Sequence, residues 1–269
     1  VQVRLLPRGP RQELHSDRLR ATHRLPRVPT PSGSEVSALL TIGLIGGMSW
    51  HSSAEYYRLA NELVNERLGG VHSARSLLSS VDFAAIEDLQ RQARWSDAGD
   101  ILASAAKGLE AAGADLLLIC ANTMHKVIDQ VSAAVSVPIL HVADVVAEAV
   151  RAAGLETVGL LGTAYTMEQA FYRDRLASHG LTVLVPDGED RALVHRVIFD
   201  ELCFGIVNDG SRAACLNVVS RMADRGAQGV ILGCTEVELL IHQSDTGLPV
   251  FPTTSLHIEA AVERALASA

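Results

Sequence analysis

The chain has only four cysteines in 269 residues, and no two of them form a CxxC pair. Disulfide scaffolds are short and cysteine-dense, so that class is excluded. Thiols kept reduced in a cytoplasm are the simplest setting. The eight histidines from His51 onward show no HExxH spacing, and no zinc pattern is present. Neither a metal site nor a cofactor is expected. No apolar run approaches the ~18–20 residues needed to span a bilayer; the longest, such as Leu116 to Cys120, have strand length. The N-terminus lacks the apolar core of a secretory signal. Gly43-Leu-Ile-Gly46-Gly47-Met48 is not GxGxxG, because its first two glycines are three apart. These glycines read instead as residues that let a loop turn tightly beside a pocket.

Charge is scarce and uneven. Charged residues make up 20% of the chain and the net charge is −8. Residues 1–38 hold seven Arg against Glu13, Asp17 and Glu35, a balance of +4, which leaves −12 for the rest. An acidic body excludes nucleic acid as the expected partner. Residues 1–40 are also rich in proline and show no helical or strand period. They read as a disordered Arg/Pro-rich extension, with an organelle transit peptide as the rival.

What is present is a doubled pattern. Cys120 ends the apolar run of LLLICANT and Cys234 that of VILGCTE, 114 residues later. GLIG (Gly43 to Gly46) and GLLG (Gly159 to Gly162) stand 116 residues apart. Two echoes at nearly one offset imply an internal duplication. Apolar strands are expected at 41–45, 77–81, 114–119, 138–142, 157–161, 181–185, 228–232 and 249–251. Helices are expected at 54–67, 97–112, 123–135, 144–153, 167–179, 192–204, 212–225 and 256–267. Ser52 and Ser53 are the expected caps of the first helix. Continuous apolar strands alternating with helices specify parallel sheets covered on both faces. The expected fold is α/β, two pseudo-symmetric doubly wound domains with an interdomain cleft. Ligands then bind beyond the carboxyl ends of the strands, where both cysteines lie.

Cys120-Ala121-Asn122-Thr123 and Cys234-Thr235-Glu236 both read as strand-to-helix turns. A helix N-terminus there is expected to lower the thiol pKa and to receive a carboxylate. Asn122, Thr123 and Thr235 are expected to add donors to that carboxylate, and Glu236 to tune the second thiol or orient an amine. Facing thiols suit proton removal from one side of an α-carbon and return from the other. Cys203 and Cys215 lack equivalents in the other half and read as packing. His125 reads equally as pocket wall or surface.

The motifs GLIGGMSW (Gly43 to Trp50), SVDF (Ser80 to Phe83), CANTMHKV (Cys120 to Val127), GTAYTMEQAFYR (Gly162 to Arg173) and GCTE (Gly233 to Glu236) resemble the aspartate/glutamate racemase superfamily. Its bacterial broad-specificity amino-acid racemase branch is the most similar. The resemblance runs from about Thr41 to the C-terminus. It implies catalytic Cys120 and Cys234, with Met48, Ser49, Asn122, Thr123, Thr163, Thr235 and Glu236 as the substrate-binding set. It also implies no pyridoxal phosphate and no metal, a small-molecule amino-acid substrate, no membrane partner, a cytoplasmic location and a homodimer. The implied division is 41–143 plus 255–269 for one domain and 144–254 for the other, the last helix packing back on the first.

Two departures from the family pattern stand out. The stretch Leu78 to Asp82 lacks the arginine that grips a distal carboxylate in the aspartate-specific branch, and in the second half only Arg191 is near. Neutral or hydroxylated amino acids of homoserine size are therefore expected, rather than strictly aspartate. Pro252 stands where the family usually has Asp, removing a carboxylate and a backbone donor. The rival readings are a hydantoin racemase, a maleate isomerase or malonate decarboxylase type of enzyme, and a non-catalytic amino-acid-binding protein.

Overall fold

The computed structural model describes residues 39–267; the arginine-rich segment up to residue 38 lies outside the described residues. Strand β1 (Ile42–Gly46) is followed by helix α1 (Trp50–Leu68), β2 (Ser76–Ser80), α2 (Phe83–Arg91), α3 (Trp95–Ala111) and β3 (Leu116–Ile119). A 3-10 turn at Thr123–Val127 leads into α4 (Ile128–Ser132), then β4 (Ile139–Leu140) and α5 (Val142–Ala152). The second half contains β5 (Thr157–Gly162), α6 (Ala164–Glu168), α7 (Ala170–Ser178), β6 (Thr182–Leu184), α8 (Gly188–Arg196) and α9 (Asp209–Asp224). It closes with β7 (Gly229–Gly233), α10 (Val237–Leu240), β8 (Val250–Pro252) and α11 (Thr253–Ala267).

The strands form two four-stranded sheets, ordered β2-β1-β3-β4 and β6-β5-β7-β8. Every pairing is parallel. The second order is the first with each index raised by four, so the duplication read in the sequence is a repeated topology. The chain leaves β1 for β2 on one side and returns to β3 on the other. The carboxyl ends of β1 and β3, and likewise of β5 and β7, therefore border each sheet's switch point.

Burial explains the strands. All residues of β1, β3 and β7 are buried, as expected for strands covered by helices on both faces. Leu116 and Leu118 face one side of the first sheet, packing with Ile42, Leu44 and α11, while Leu117 and Ile119 face α3. α11 contributes Ile258, Ala261, Val262 and Ala265 to that first-half core, and it also packs along α5. A fully buried leucine is worth about 1.5–3 kcal/mol, and truncating Leu118 to Ala at this position costs about 2–5 kcal/mol.

Several local expectations are corrected. α1 starts at Trp50, capped by Ser49, whose Oγ accepts from Ser52 N; Ser52 and Ser53 lie inside the helix. Ser53 is held for another purpose: its Oγ accepts from Gly47 N at 2.7 Å. Gly47 has φ +92, and a Cβ there would stand 2.1 Å from Val81 O. The glycine turn after β1 is thus compulsory. The helix expected at 123–135 is a 3-10 turn followed by the short α4. That expected at 167–179 breaks at extended Gln169. That expected at 192–204 passes from α8 into a π-helical turn at Val197–Glu201 and a 3-10 turn at Leu202–Phe204. α2 was not expected, and the helix implied by the turn at Cys234 to Glu236 is the four-residue α10.

Among the described residues no helix is long and apolar enough to cross a membrane, and no group of three or more His, Cys, Asp or Glu is placed to hold a metal.

Candidate active site

Four strand ends meet around one cavity. Gly47-Met48 follows β1, Cys120 to Thr123 follows β3, Thr163 follows β5, and Cys234 to Glu236 follows β7. The cavity is small, about 40 Å³, with Met48, Asn122, Thr123, Thr163, Cys234, Thr235 and Glu236 in its wall. Seven of the nine residues expected from sequence are therefore brought together. Ser49 stands behind the wall and holds Glu236. Cys120 is fully buried in the core of the first sheet, and the wall begins one residue later, at Ala121.

Hydrogen bonds tie the halves together at this point. Ser49 Oγ and Ser52 Oγ donate to Glu236 Oε1 at 2.6 and 2.9 Å, and Cys234 Sγ donates to Glu236 Oε2 at 3.1 Å. The carboxylate is buried, so these charge-assisted bonds offset its lost hydration. The second link pairs the other two strand ends. Thr123 Oγ1 lies 3.0 Å from Thr163 Oγ1 and 3.1 Å from Thr166 Oγ1. One link joins the β1 end to the β7 turn, the other the β5 end to the β3 turn.

The thiols are not acidified, contrary to the sequence expectation. Burial pushes the Cys120 thiol up. Burial, and then the charge of Glu236, push Cys234 well above the ordinary thiol value. The reason is that no substantial helix begins at either turn: a 3-10 turn follows Cys120 and the four-residue α10 follows Cys234. A macrodipole needs several aligned turns, so desolvation wins. For the same reason, neither turn offers a helix N-terminus to a carboxylate.

Asn122 also differs from its expected role. Thr253 Oγ1 has one proton, which it donates to Leu232 O at 2.9 Å or to Glu238 Oε1 at 3.3 Å. It must then accept from Asn122 Nδ2, at 2.8 Å. This fixes the carboxamide, and its Oδ1 is left buried without a partner. Asn122 therefore offers the cavity an acceptor, suited to an ammonium, while one of its two Nδ2–H donors is engaged by Thr253.

Sequence reasoning missed the other side of the wall: apolar Phe83, Met124, Ile198 and Phe199, with Gln90 and Cys203 beside them. Phe83 and Phe199 stack across the halves at 6.5 Å. Cys203, read as packing, lines the cavity near Cys234, and burial then Glu236 raise its thiol to about 12. Asp82 signalled part of this: its Oδ1 caps α2 by accepting from Ala84 N at 3.2 Å, and an Asp before an apolar run is a helix-start signature. Among the described residues no Lys or Arg lines the cavity. Arg191 is occupied elsewhere, donating to Pro186 O at 2.7 Å and Glu168 Oε1 at 3.1 Å.

His125 belongs to a buried cluster beneath the β3 turn, so the surface reading is set aside. Its ring lies 4.8 Å from that of His141 and 5.7 Å from that of His257. Val142 N donates to His125 Nε2, so Nδ1 carries the proton and donates to Ala121 O. In His257, Nε2 donates to Leu140 O and Nδ1 accepts from Tyr56 OH. Burial holds all three rings neutral, His141 and His257 with values down to about 4.

The chain belongs to the Asp/Glu/Hydantoin racemase family, whose model matches residues 45–261. It is similar to a Yersinia pestis structure assigned provisionally to the Asp/Glu racemases: 48% identity, TM-score 0.79, covering 84% of this chain and 99% of that one. An aspartate racemase homologue from Pyrococcus horikoshii OT3 is 36% identical, with a TM-score of 0.74, over 84% of this chain and 98% of that one. Glutamate racemase from Francisella tularensis, solved with D-glutamate, shares the fold at 15% identity, with a TM-score of 0.58 over 84% and 80% of the two chains.

Proposed function

We propose that the protein is an amino-acid racemase that uses Cys120 and Cys234 as its two acid/base groups, without pyridoxal phosphate or metal. The observation that carries this reading is topological. Both cysteines directly follow equivalent strands, β3 and β7, of two identically ordered sheets. The turns that follow them line one cavity.

Cys234 rests as a thiol donating to Glu236 Oε2. A substrate ammonium near Glu236 and Asn122 Oδ1 would offset the buried negative charge and favour the thiolate. In one direction a thiolate takes the α-proton: the C–H bond breaks, an S–H bond forms, and the electron pair passes into the carboxylate-stabilised carbanion. The opposite thiol then gives its proton to the other face, and the configuration is inverted. Backbone N–H groups and the hydroxyls of Thr123, Thr163 and Thr235 would face the developing charge on the carboxylate.

The cavity of about 40 Å³ holds a few waters, not an amino acid. Catalysis therefore requires the cavity to open, and the two-base reading further requires the Cys120 thiol to turn out of the first-half core. The lack of a Lys or Arg in the wall among the described residues favours neutral or hydroxylated substrates over aspartate. Exposed Trp50, Phe204 and Ile206 are compatible with a homodimer, which sedimentation would test. The function is tested by a chiral assay of the purified protein against the common amino acids, with and without a thiol alkylator. Enantiomer interconversion abolished by alkylation supports the reading. Amino-acid binding without interconversion would instead support a sensor.

A further inference from the structure

Gln90 is out of place for its position. It lies on α2 with Phe83 and Ile86, at the i, i+3, i+7 spacing of a core-facing stripe. It is 5% exposed and lines the cavity. Its Nε2 donates to Met124 Sδ at 3.1 Å. A thioether is a weak acceptor, so a buried carboxamide is poorly compensated by it. Burying an amide at a stripe position costs stability, and a hydrocarbon there would pack without that cost.

The surroundings say what the amide can serve. The reacting groups, Cys234, Glu236 and the threonines, occupy the polar part of the wall. Phe83, Met124, Ile198 and Phe199 make the apolar part. Among the described residues Gln90 is the one carboxamide set among them and no Lys or Arg stands in the wall, so none of these offers a charge to a distal carboxylate. An uncharged amide offers donors and an acceptor to an uncharged polar atom.

We propose that Gln90 is the specificity-determining residue for the substrate side chain: its carboxamide exchanges the Met124 sulfur for the distal hydroxyl or amide of a neutral α-amino acid. This rests on the racemase reading of the same cavity. A site that satisfies a buried amide through the substrate rejects the isostere that leaves it unpaired. Hydrocarbon side chains are thereby disfavoured by the same residue that favours hydroxyl ones.

The test uses homoserine and norvaline, which differ only by a terminal hydroxyl in place of a methyl. Wild type is expected to show a homoserine-to-norvaline kcat/KM ratio of at least about ten. Q90M is expected to bring that ratio to within about threefold of one, and to melt no lower than wild type. Q90L repeats the test with a second hydrocarbon. A ratio unchanged in either variant, or equal losses on both substrates, overturns the proposal. If neither amino acid exchanges its α-proton in wild type although one of the common amino acids does, the proposal is overturned; if none does, the racemase reading fails, and Gln90 is then judged by calorimetry. Tighter homoserine binding that Q90M abolishes still supports it; binding indifferent to the hydroxyl, or no binding at all, overturns it.

Discussion

Ser49 Oγ lies 2.6 Å from Glu236 Oε1, joining the loop after β1 to the turn after β7 across 187 residues of sequence. Ser52 shares that oxygen, which leaves Oε2 to the Cys234 thiol. Glu236 thus acts as a bridge: the first half fixes its position, and it addresses the thiol of the second. Replacing it by Gln removes the charge and sets an NH2 donor against a group that is itself a donor, the thiol or the serines. E236Q is expected to lower kcat by about 10²–10³-fold, within the usual range for a lost acid/base partner. Because the Glu236 charge helps hold the thiol proton on, Cys234 alkylation in E236Q should begin at lower pH than in wild type. S52A, losing one of two bonds to Oε1, should cost about tenfold. Steady-state kinetics and alkylation rates against pH check all three.

Cys120, Cys203 and Cys234 separate the two-base account from its nearest structural rival. Cys203 lines the present cavity and Cys120 does not. The account nevertheless assigns the reaction to Cys120, because β3 and β7 are the equivalent strands. C120S and C234S should each lose at least about 10³-fold in kcat in both directions, since one base cannot complete the inversion. C203S should lose less than about tenfold. The reverse ranking of C120S and C203S in a chiral assay would reassign the opposing thiol.

The histidine cluster sets an acid limit on stability. His141 and His257 titrate near 4 when folded, His125 lower than its ordinary value, and all are near 6.5 unfolded. Between those values the unfolded chain binds more protons, so stability falls as pH drops from about 6.5 towards 4. H257F would also strip Tyr56 OH of its acceptor, so H141N, at the less enclosed ring, is the cleaner variant. Its melting temperature should depend less steeply on pH over that window than wild type's. A parallel curve would contradict the assignment.

Glu238 acts with the opposite sign. Burial raises its carboxyl to about 8, although Oε1 accepts from Thr254 N at 2.7 Å. The folded state holds a proton that the unfolded chain releases above about 4.5. Its contribution is therefore complete below about pH 4.5 and lost as pH rises towards 8. E238Q keeps the carbonyl acceptor and has no proton to lose. Thermal melts should show E238Q gaining on wild type as pH rises from 5 to 8, with little difference at pH 4.5.

The parts of this molecule that sequence made legible are those with one dominant cause. Leu116 to Ile119 and Gly229 to Gly233 are apolar on both faces, and only a parallel, covered strand satisfies that. The turns that follow them therefore had to lie at strand ends. The wall made by Ile198, Phe199 and Cys203 was illegible because a π-helical turn breaks the 3.6-residue period there. Gln90 was hidden by being polar at a core position, which weakened the signal of α2. The thiol shift was misjudged in sign because the lengths of the following helices, and the depth of burial, are decided by tertiary packing. Asn122 was found as a site residue, but its orientation depends on Thr253, 131 residues away.

The most direct measurement is deuterium incorporation in heavy water, starting from each enantiomer of a turned-over amino acid and stopped early. Two thiols on opposite faces of one α-carbon predict that the product enantiomer carries deuterium while the recovered substrate remains protiated, in both directions. Deuterium entering substrate and product alike from the start, as one shared base would give, or reaching neither, would contradict the account.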